Sequence, residues 1–187
     1  MKTVYIILAE GFEESEALIP ADLLRRADCP VRLVALDNGA TVKGSHGIVV
    51  GADLGWDELR LEQAELILLP GGGAGTDNLE QHSGLALLLR QGAEQGIPLA
   101  AICAAPRVLG RLGLLKGRRA CCYPGNEEAL TGAIVCQSPT VRDGNIITGR
   151  GMGASFEFGL AVVEFLCGSQ RAQQLSERIL WQAQGIL

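Results

Sequence analysis

Four short apolar runs constrain the fold of this chain more than any other sequence feature. Each run ends at a turn signal, and together they cover residues 3–9, 31–36, 66–69 and 99–102. Continuous apolar runs are typical of strands covered on both faces, as in a parallel sheet between helix layers. Five helical patterns would supply those layers, at residues 14–27, 85–95, 105–112, 155–166 and 170–183. We expect Pro20 to kink or restart the first of these helices.

Two further stretches predict β-hairpins, at residues 41–50 and 140–148. In the second, an Asp-Gly pair at 143–144 lies between β-favouring runs, and this pair is common in two-residue hairpin turns. The chain has 187 residues and contains no repeat, linker or low-complexity segment. We therefore expect a single α/β domain over residues 1–187, with a mostly parallel sheet between helix layers.

Net charge and hydropathy limit the kinds of binding partner and the cellular location expected for this chain. A formal net charge of −5 speaks against nucleic acid as the main partner. No stretch reaches about 18 consecutive apolar residues, so no membrane span is predicted. The first apolar run ends at Ala9 and an acidic cluster follows at once, which is unlike a signal peptide. We expect a cytoplasmic protein whose six cysteines are mostly free thiols.

The strongest candidate for chemistry is Cys103, within Pro-Leu-Ala-Ala-Ile-Cys-Ala-Ala-Pro at residues 98–106. A buried strand is predicted to end at this cysteine and a helix to begin directly after it. The layout is that of a nucleophile elbow with sulfur in place of the serine oxygen. A thiol at a helix N-terminus favours its thiolate, so we expect Cys103 to be the most acidic thiol. The alternative is a core cysteine at a strand end.

Two other features follow strands and are predicted to lie at the same sheet edge. Three glycines at 71–73 allow a ligand to approach backbone N–H groups, although an ordinary βα turn is the alternative. Acidic residues at 13, 14 and 16 follow the first strand, where they also complement a helix dipole. Open α/β folds bind ligands at the carboxyl edge of the sheet. Together with Cys103, these features predict one site.

The chain has only two histidines, His46 and His82. The first lies in the predicted hairpin at 41–50, and the second opens a predicted surface helix. We expect both at the surface. A cysteine–histidine catalytic arrangement is therefore poorly supported.

Four motifs together resemble the ThiJ/PfpI superfamily, closest to the branch of the parkinsonism-associated deglycase and bacterial YajL. They are Glu-Glu-Ser-Glu-Ala-Leu-Ile-Pro at 13–20, Leu-Pro-Gly-Gly at 69–72, Ala-Ala-Ile-Cys-Ala-Ala-Pro at 100–106 and Arg-Gly-Met-Gly-Ala-Ser-Phe-Glu-Phe at 150–158. They occur in order over nearly the whole chain. The resemblance implies a flavodoxin-like sandwich of the class I glutamine amidotransferase-like type, a homodimer, and no cofactor or metal.

The resemblance also implies roles for single residues. Cys103 matches the family's oxidation-sensitive nucleophile, and Glu16 matches the carboxylic acid that hydrogen-bonds its sulfur. Gly72 and the backbone of Ala104 match amides that hold an oxyanion or a sulfinate oxygen, and Gly73 is a further binding candidate in the same glycine run. Burial beside the sulfur should raise the pKa of Glu16, so that the acid is protonated at neutral pH and donates to sulfur.

The chain departs from the family pattern at three positions. Tyr123, a candidate for binding substrate, stands where deglycase-like members often have a histidine, and tyrosine is a poor base at neutral pH. His46 stands where relatives carry an arginine near the dimer interface. Ala104 follows the nucleophile where the peptidase-like branch has histidine, which argues against proteolysis.

Three functions follow from the resemblance. The first is a slow enzyme acting on reactive 2-oxoaldehydes or glycated adducts through a hemithioacetal at Cys103, with Glu16 moving the proton. The second is a non-catalytic sensor or chaperone of oxidative stress, in which Cys103 becomes a sulfinate. The third, a cysteine peptidase, is the least favoured because the histidine is missing.

Overall fold

The computed structural model describes residues 1–181, which form eleven strands and six helices besides short 3-10 turns. The strands are β1 (Thr3–Leu8), β2 (Val31–Ala35), β3 (Thr41–Lys43), β4 (Val49–Gly51), β5 (Leu54–Gly55), β6 (Ala64–Leu69), β7 (Leu99–Ile102), β8 (Arg119–Ala120), β9 (Ile134–Val135), β10 (Thr140–Asp143) and β11 (Ile146–Gly149). The helices are α1 (Glu14–Arg26), α2 (Gly73–Gln81), α3 (Ser83–Glu94), α4 (Pro106–Arg111), α5 (Ser155–Cys167) and α6 (Ser169–Arg178).

Seven of these strands form one sheet, in the order β10-β11-β7-β6-β1-β2-β5. Every neighbouring pair is parallel except β10 and β11, which are antiparallel. Ile6 of β1 is in register with Leu33 of β2 on one side and Leu68 of β6 on the other. The mostly parallel sheet predicted from the apolar runs is confirmed.

The alternating residues of β1 face two separate apolar cores. Ile6 packs with residues of α1, α5 and α6 on one face of the sheet. Ile7 packs with residues of α2, α3 and α4 on the other face. Both side chains are fully buried, as expected of a central strand between two helix layers.

The structure confirms the four predicted central strands to within two residues at each end. Of the two outcomes predicted at Pro20, the restart is absent, because α1 runs through this residue as one element. The prediction of the last helix is wrong at its C-terminal end. The last helix ends at Arg178, and Leu180 has a φ of 57°, which a continuing helix cannot contain. Residues 182–183 of that prediction lie outside the described residues.

Helix α2 was not predicted, because its first residues are Gly73, Ala74 and Gly75 and glycine weakens helix propensity. Both predicted hairpins are present. The first pairs β3 with β4 as a separate two-stranded sheet beside α1. The second pairs β10 with β11, and β11 joins the main sheet beside β7.

The fold brings the three predicted features to one edge of the sheet. The parallel strands β1, β6 and β7 all end there, and the loops after them lead into α1, α2 and α4. These three loops carry the acidic motif, the glycine run and Cys103. Over residues 1–181, none of the helices combines the length and the apolar character needed to cross a bilayer.

Candidate functional site

Cys103 occupies a strained turn between β7 and α4. Its φ is 65°, in the left-handed region, which costs a residue with a side chain about 1–3 kcal/mol. Two backbone hydrogen bonds hold it there. Its N–H donates to Gly149 O at 2.9 Å, and its carbonyl accepts from Tyr123 N–H at 2.8 Å. Backbone strain maintained in this way is typical of a nucleophile elbow.

Glu16 lies in the first turn of α1 and is completely buried. Glu13, the N-cap of the helix, accepts the Glu16 backbone N–H at 2.8 Å and so fixes the start of the helix. The Gly71 N–H donates to Glu16 Oε2 at 2.9 Å. Within residues 1–181, Glu16 Oε1 has no hydrogen bond of normal geometry. The Cys103 thiol therefore approaches the carboxyl group without forming a well-aligned hydrogen bond.

Burial is the main reason why the pKa of Glu16 rises to about 7. The thiol of Cys103 and the Gly71 amide oppose the rise, whereas the charge of Glu13 adds to it. At neutral pH the acid is therefore present in both forms. The sequence predicted a protonated acid, and the structure supports the raised pKa on which that prediction depends.

The expectation that Cys103 is the most acidic thiol is wrong for the protein with Glu16 ionised. Burial, together with the negative charge and close approach of Glu16, raises the pKa of Cys103 to about 12. The pKa of Cys122 is raised less, to about 11. The physical reason is that α4 has only six residues and begins at Pro106, so its dipole does not outweigh burial.

Protonation of Glu16 changes this balance. It removes the negative charge that opposes the thiolate and turns the carboxyl group into a donor. The amides of Gly72 and Ala104 lower the pKa of Cys103 in either state. The two groups therefore titrate as a pair. Of the forms that share a single proton, the one with a thiolate on Cys103 and the proton on Glu16 is suited to nucleophilic attack.

The three glycines of the loop after β6 have different environments. The backbone of Gly72 has a φ of 91°, and its amide favours ionisation of the Cys103 thiol. Gly73 is exposed at the start of α2, and no effect of its amide on this thiol is found within residues 1–181. Its predicted binding role therefore stays a prediction.

Gly71 is a site residue that the sequence reasoning did not single out. A Cβ at this position would lie 2.6 Å from Glu16 Oε2 and 2.7 Å from the Cys103 Cβ. Only glycine allows the backbone to pass between the acid and the thiol and still donate to the acid. The sequence signal was the run of three glycines, which does not reveal which member contacts which group.

An open groove of about 600 Å³ lies beside Tyr123, the residue whose N–H donates to the Cys103 carbonyl. Its lining includes Tyr123, Gln137, Arg150 and Met152. The Tyr123 ring is half exposed, and its backbone is hydrogen-bonded to Cys103. Its side chain therefore faces a space that a substrate larger than a small aldehyde can enter.

Neither histidine contacts Cys103 in the part of the chain that the structure describes. His46 is exposed, and its Nδ1 lies 2.9 Å from Glu14 Oε2, a contact that raises the pKa of His46. His82 is partly buried rather than fully at the surface. Its Nδ1 accepts from Leu85 N–H at 2.9 Å and caps α3, which agrees with the predicted helix start.

Glu13, Glu14 and His46 are the described residues grouped closely enough to hold a metal ion, with ligand atoms within 4.8 Å of one another. The carboxylate of Glu14 already accepts from the His46 N–H at 2.7 Å and the Ser45 Oγ at 3.3 Å. Burial opposes ionisation, but hydrogen bonds from His46 and from the backbone of Glu14 and Ile48 lower the pKa of Glu14 to about 2. We therefore assign this cluster to anchoring the β3–β4 hairpin on α1.

Replacing Glu16 with glutamine should remove a loss of stability that wild type shows as the pH rises. The folded-state pKa of Glu16, about 7, is higher than the ordinary glutamate value of 4.5. The stability that this group contributes is therefore present below about pH 4.5 and lost as the pH rises through about 7. We expect wild type to lose about 2–3 kcal/mol relative to Glu16→Gln from about pH 5 to about pH 8. Urea unfolding at both pH values measures this, and parallel curves would contradict the raised pKa.

Known proteins resemble this chain along nearly its whole length. Protein dj-1beta of Drosophila melanogaster is 35% identical over 181 residues, which cover 96% of this chain and 97% of that protein. A deglycase of Pyrococcus horikoshii is 30% identical over 149 residues, which cover 79% of this chain and 89% of that protein.

A solved structure shows the same fold. The crystal structure is that of a cysteine-to-alanine mutant of a DJ-1 superfamily protein from Salmonella typhimurium. It matches with a TM-score of 0.92 at 34% identity, and the match covers 97% of this chain and 100% of that one. This likeness and the sheet order support the expected flavodoxin-like, class I glutamine amidotransferase-like sandwich.

The family model described as the DJ-1/PfpI family matches residues 2–165. The matched region contains the acidic start of α1, the glycine loop and the turn that carries Cys103. The resemblance to the ThiJ/PfpI superfamily stated from four sequence motifs is thereby confirmed. This chain belongs to the DJ-1/PfpI family.

Proposed function

We propose that this protein acts on reactive 2-oxoaldehydes or their glycated adducts, with Cys103 as the nucleophile and Glu16 as the proton carrier. One observation carries the proposal: a cysteine on a strained turn lies beside a buried acid with a pKa of about 7. An acid of that pKa is suited to donating and accepting a proton at neutral pH. No cofactor is needed for this chemistry.

For methylglyoxal, the reaction begins when the Cys103 thiolate adds to the aldehyde carbon. The carbonyl π electrons move to oxygen, and protonated Glu16 donates a proton there to give a hemithioacetal. The amides of Gly72 and Ala104 stabilise the oxyanion as it forms. Ionised Glu16 then removes the proton from the former aldehyde carbon, which gives an enediolate. Return of that proton to the neighbouring carbon, with transfer of the hydroxyl proton from the first oxygen to the second, gives a lactoyl thioester. Water hydrolyses this ester to lactate and regenerates the thiol.

Two observations favour an adduct larger than methylglyoxal as a further substrate. The groove beside Tyr123 holds about 600 Å³, far more than a three-carbon aldehyde fills. The relative from Pyrococcus horikoshii is named a deglycase. Release of lactate from methylglyoxal by purified protein tests the proposal, and glycated amines tested alongside distinguish the two substrate sizes.

A non-catalytic response to oxidative stress is the second candidate function. It is favoured by the donors around the sulfur, which are the amides of Gly72 and Ala104 and the acid Glu16. A sulfinate at Cys103 would accept from these donors, and protonated Glu16 would contact one of its oxygens. Such a site would act as an oxidation sensor or would control a chaperone surface.

In wild type, oxidation of Cys103 by mild peroxide should stop at the sulfinate, because protonated Glu16 donates a hydrogen bond to one sulfinate oxygen. In Glu16→Leu this donor is absent, so we expect mainly sulfenate that thiol reductants reverse. Peptide mapping by mass spectrometry measures both products, with Cys103→Ala as the control for other sites. Equal sulfinate yields in wild type and Glu16→Leu would show that Glu16 does not determine the end point.

We also propose that the protein is a homodimer through α1 and the β3–β4 hairpin. Ile48 and Val49 of the hairpin region are 54% and 60% exposed, which leaves apolar surface uncovered in the single chain. Leu18 and Ile19 of α1 are only partly buried. Sedimentation equilibrium at micromolar concentration measures the association.

A further inference from the structure

A second pair of reactive groups lies outside the site described above. The Sγ atoms of Cys29 and Cys167 are 3.4 Å apart, although the two residues are separated by 138 positions in the chain. Both are free thiols. Two thiols that are distant in sequence and in direct contact are within reach of a disulfide after a small adjustment of their side chains.

Both cysteines lie at the ends of helices that pack against each other. Cys29 follows α1 in the turn before β2, and Cys167 is the last residue of α5. Both helices begin at the carboxyl edge of the sheet, near Cys103, and run 13 residues to the opposite edge. A helix of that length spans about 20 Å. The pair is therefore remote from Cys103.

We propose that Cys29 and Cys167 form a second, reversible oxidation site, which closes a disulfide between α1 and α5 under peroxide. Peroxide transfers one oxygen to the Cys167 thiol, giving a sulfenic acid and water. The Cys29 thiolate then attacks the Cys167 sulfur, which forms the S–S bond and expels hydroxide. The released thiol proton converts that hydroxide to water. In total, one peroxide accepts two electrons from two thiols and yields two waters.

The order of these steps follows from exposure. Cys29 is 4% exposed, whereas Cys167 is only partly buried, so peroxide reaches Cys167 first. Burial and contact with Cys167 raise the pKa of Cys29 to about 12, which disfavours Cys29 as the first nucleophile. Once Cys167 is a sulfenic acid, a thiol already in contact with it competes effectively with a second peroxide. The expected product is therefore a disulfide, whereas Cys103 has no second thiol described beside it.

The disulfide should stabilise the fold, because it closes a long loop in the unfolded chain. It also joins the ends of two helices that form one face of the sandwich. For a domain of this size, we expect the melting temperature to rise by about 5–15 °C. A thiol reductant should reverse the rise, which distinguishes this site from a sulfinate at Cys103.

The test uses full-length Cys103→Ala protein, so that oxidation of Cys103 does not contribute. Folded protein is treated with peroxide, alkylated and mapped without reduction. We expect a peptide pair joined through Cys29 and Cys167, two fewer free thiols per chain, and a higher melting temperature, all reversed by dithiothreitol. Adding Cys167→Ala should abolish the cross-link and the thermal shift, whereas adding Cys136→Ala should preserve both.

Three results would overturn the proposal. One is that peroxide oxidises the other exposed thiols while Cys29 and Cys167 both remain free to react with the alkylating agent. Another is that Cys167 accumulates sulfinate while Cys29 stays free. The third is that the cross-link joins two chains instead of one. These measurements do not depend on turnover of methylglyoxal, so the outcome is separate from that of the proposed function.

Discussion

Replacing Cys103 with alanine is expected to abolish the release of lactate from methylglyoxal. The alanine variant has no nucleophile for the aldehyde carbon, and no second thiol is described in contact with Glu16. Glu16→Gln keeps the shape of the protonated acid but removes the proton that it exchanges. Because general acid–base catalysis is worth about 10²–10⁴-fold, we expect turnover by Glu16→Gln to fall by that factor.

A matched cysteine control separates loss of chemistry from loss of packing. Cys122 is buried, whereas Cys103 is partly buried, and Cys122→Ala removes an identical thiol while leaving the Cys103 turn in place. We expect this variant to keep most of its turnover. Lactate release by wild type that persists unchanged in Cys103→Ala would rule out Cys103 as the nucleophile. No lactate from wild type would favour the oxidation-sensing function instead.

The second large effect is expected on stability, from alanine at Gly72. Its φ of 91° is unfavourable for a residue with a side chain, and a Cβ there would overlap the Gly11 carbonyl and lie 2.7 Å from Glu13 N. Strain and backbone overlap each cost about 1–3 kcal/mol, so we expect Gly72→Ala to lower the free energy of unfolding by about 4 kcal/mol. Chemical denaturation measures this loss.

Gly73→Ala is the matched control for that experiment. Gly73 lies at the exposed start of α2, and a Cβ there would meet no described atom within 4 Å beyond its chain neighbours and its own helix backbone. Alanine there should change the free energy of unfolding by less than about 1 kcal/mol, and helix propensity favours stabilisation. Equal losses in the free energy of unfolding at both positions would contradict this explanation, because the positive φ and close backbone contacts are specific to Gly72.

The sequence alone determined the layers of this fold and singled out Cys103 as the candidate nucleophile. The apolar runs of β1, β2, β6 and β7 are long enough and bounded clearly enough to predict a covered parallel sheet. The end of β7 at Ile102, followed by small residues and Pro106, indicated a tight turn that exposes Cys103. These are local signals, because they depend on residues close together in the chain.

Boundaries and short elements were harder to predict from local signals. Helix α2 begins with a glycine-rich segment, and its buried Leu79 packs into the core that contains Ile7. The packing of that face, rather than propensity, accounts for the helix. The last helix ended earlier than its apolar pattern predicted because the backbone turns at Leu180.

The tertiary structure alone decided how the groups of the site act on one another. Burial of Glu16, its bond from Gly71, and the proximity of Cys103 arise from three loops that are distant in sequence. The pKa of a buried group depends on the atoms packed around it, which no local pattern contains. The same limit applies to the cysteines. The sequence predicted mostly free thiols, but only the packing of α1 against α5 shows that Cys29 lies beside Cys167.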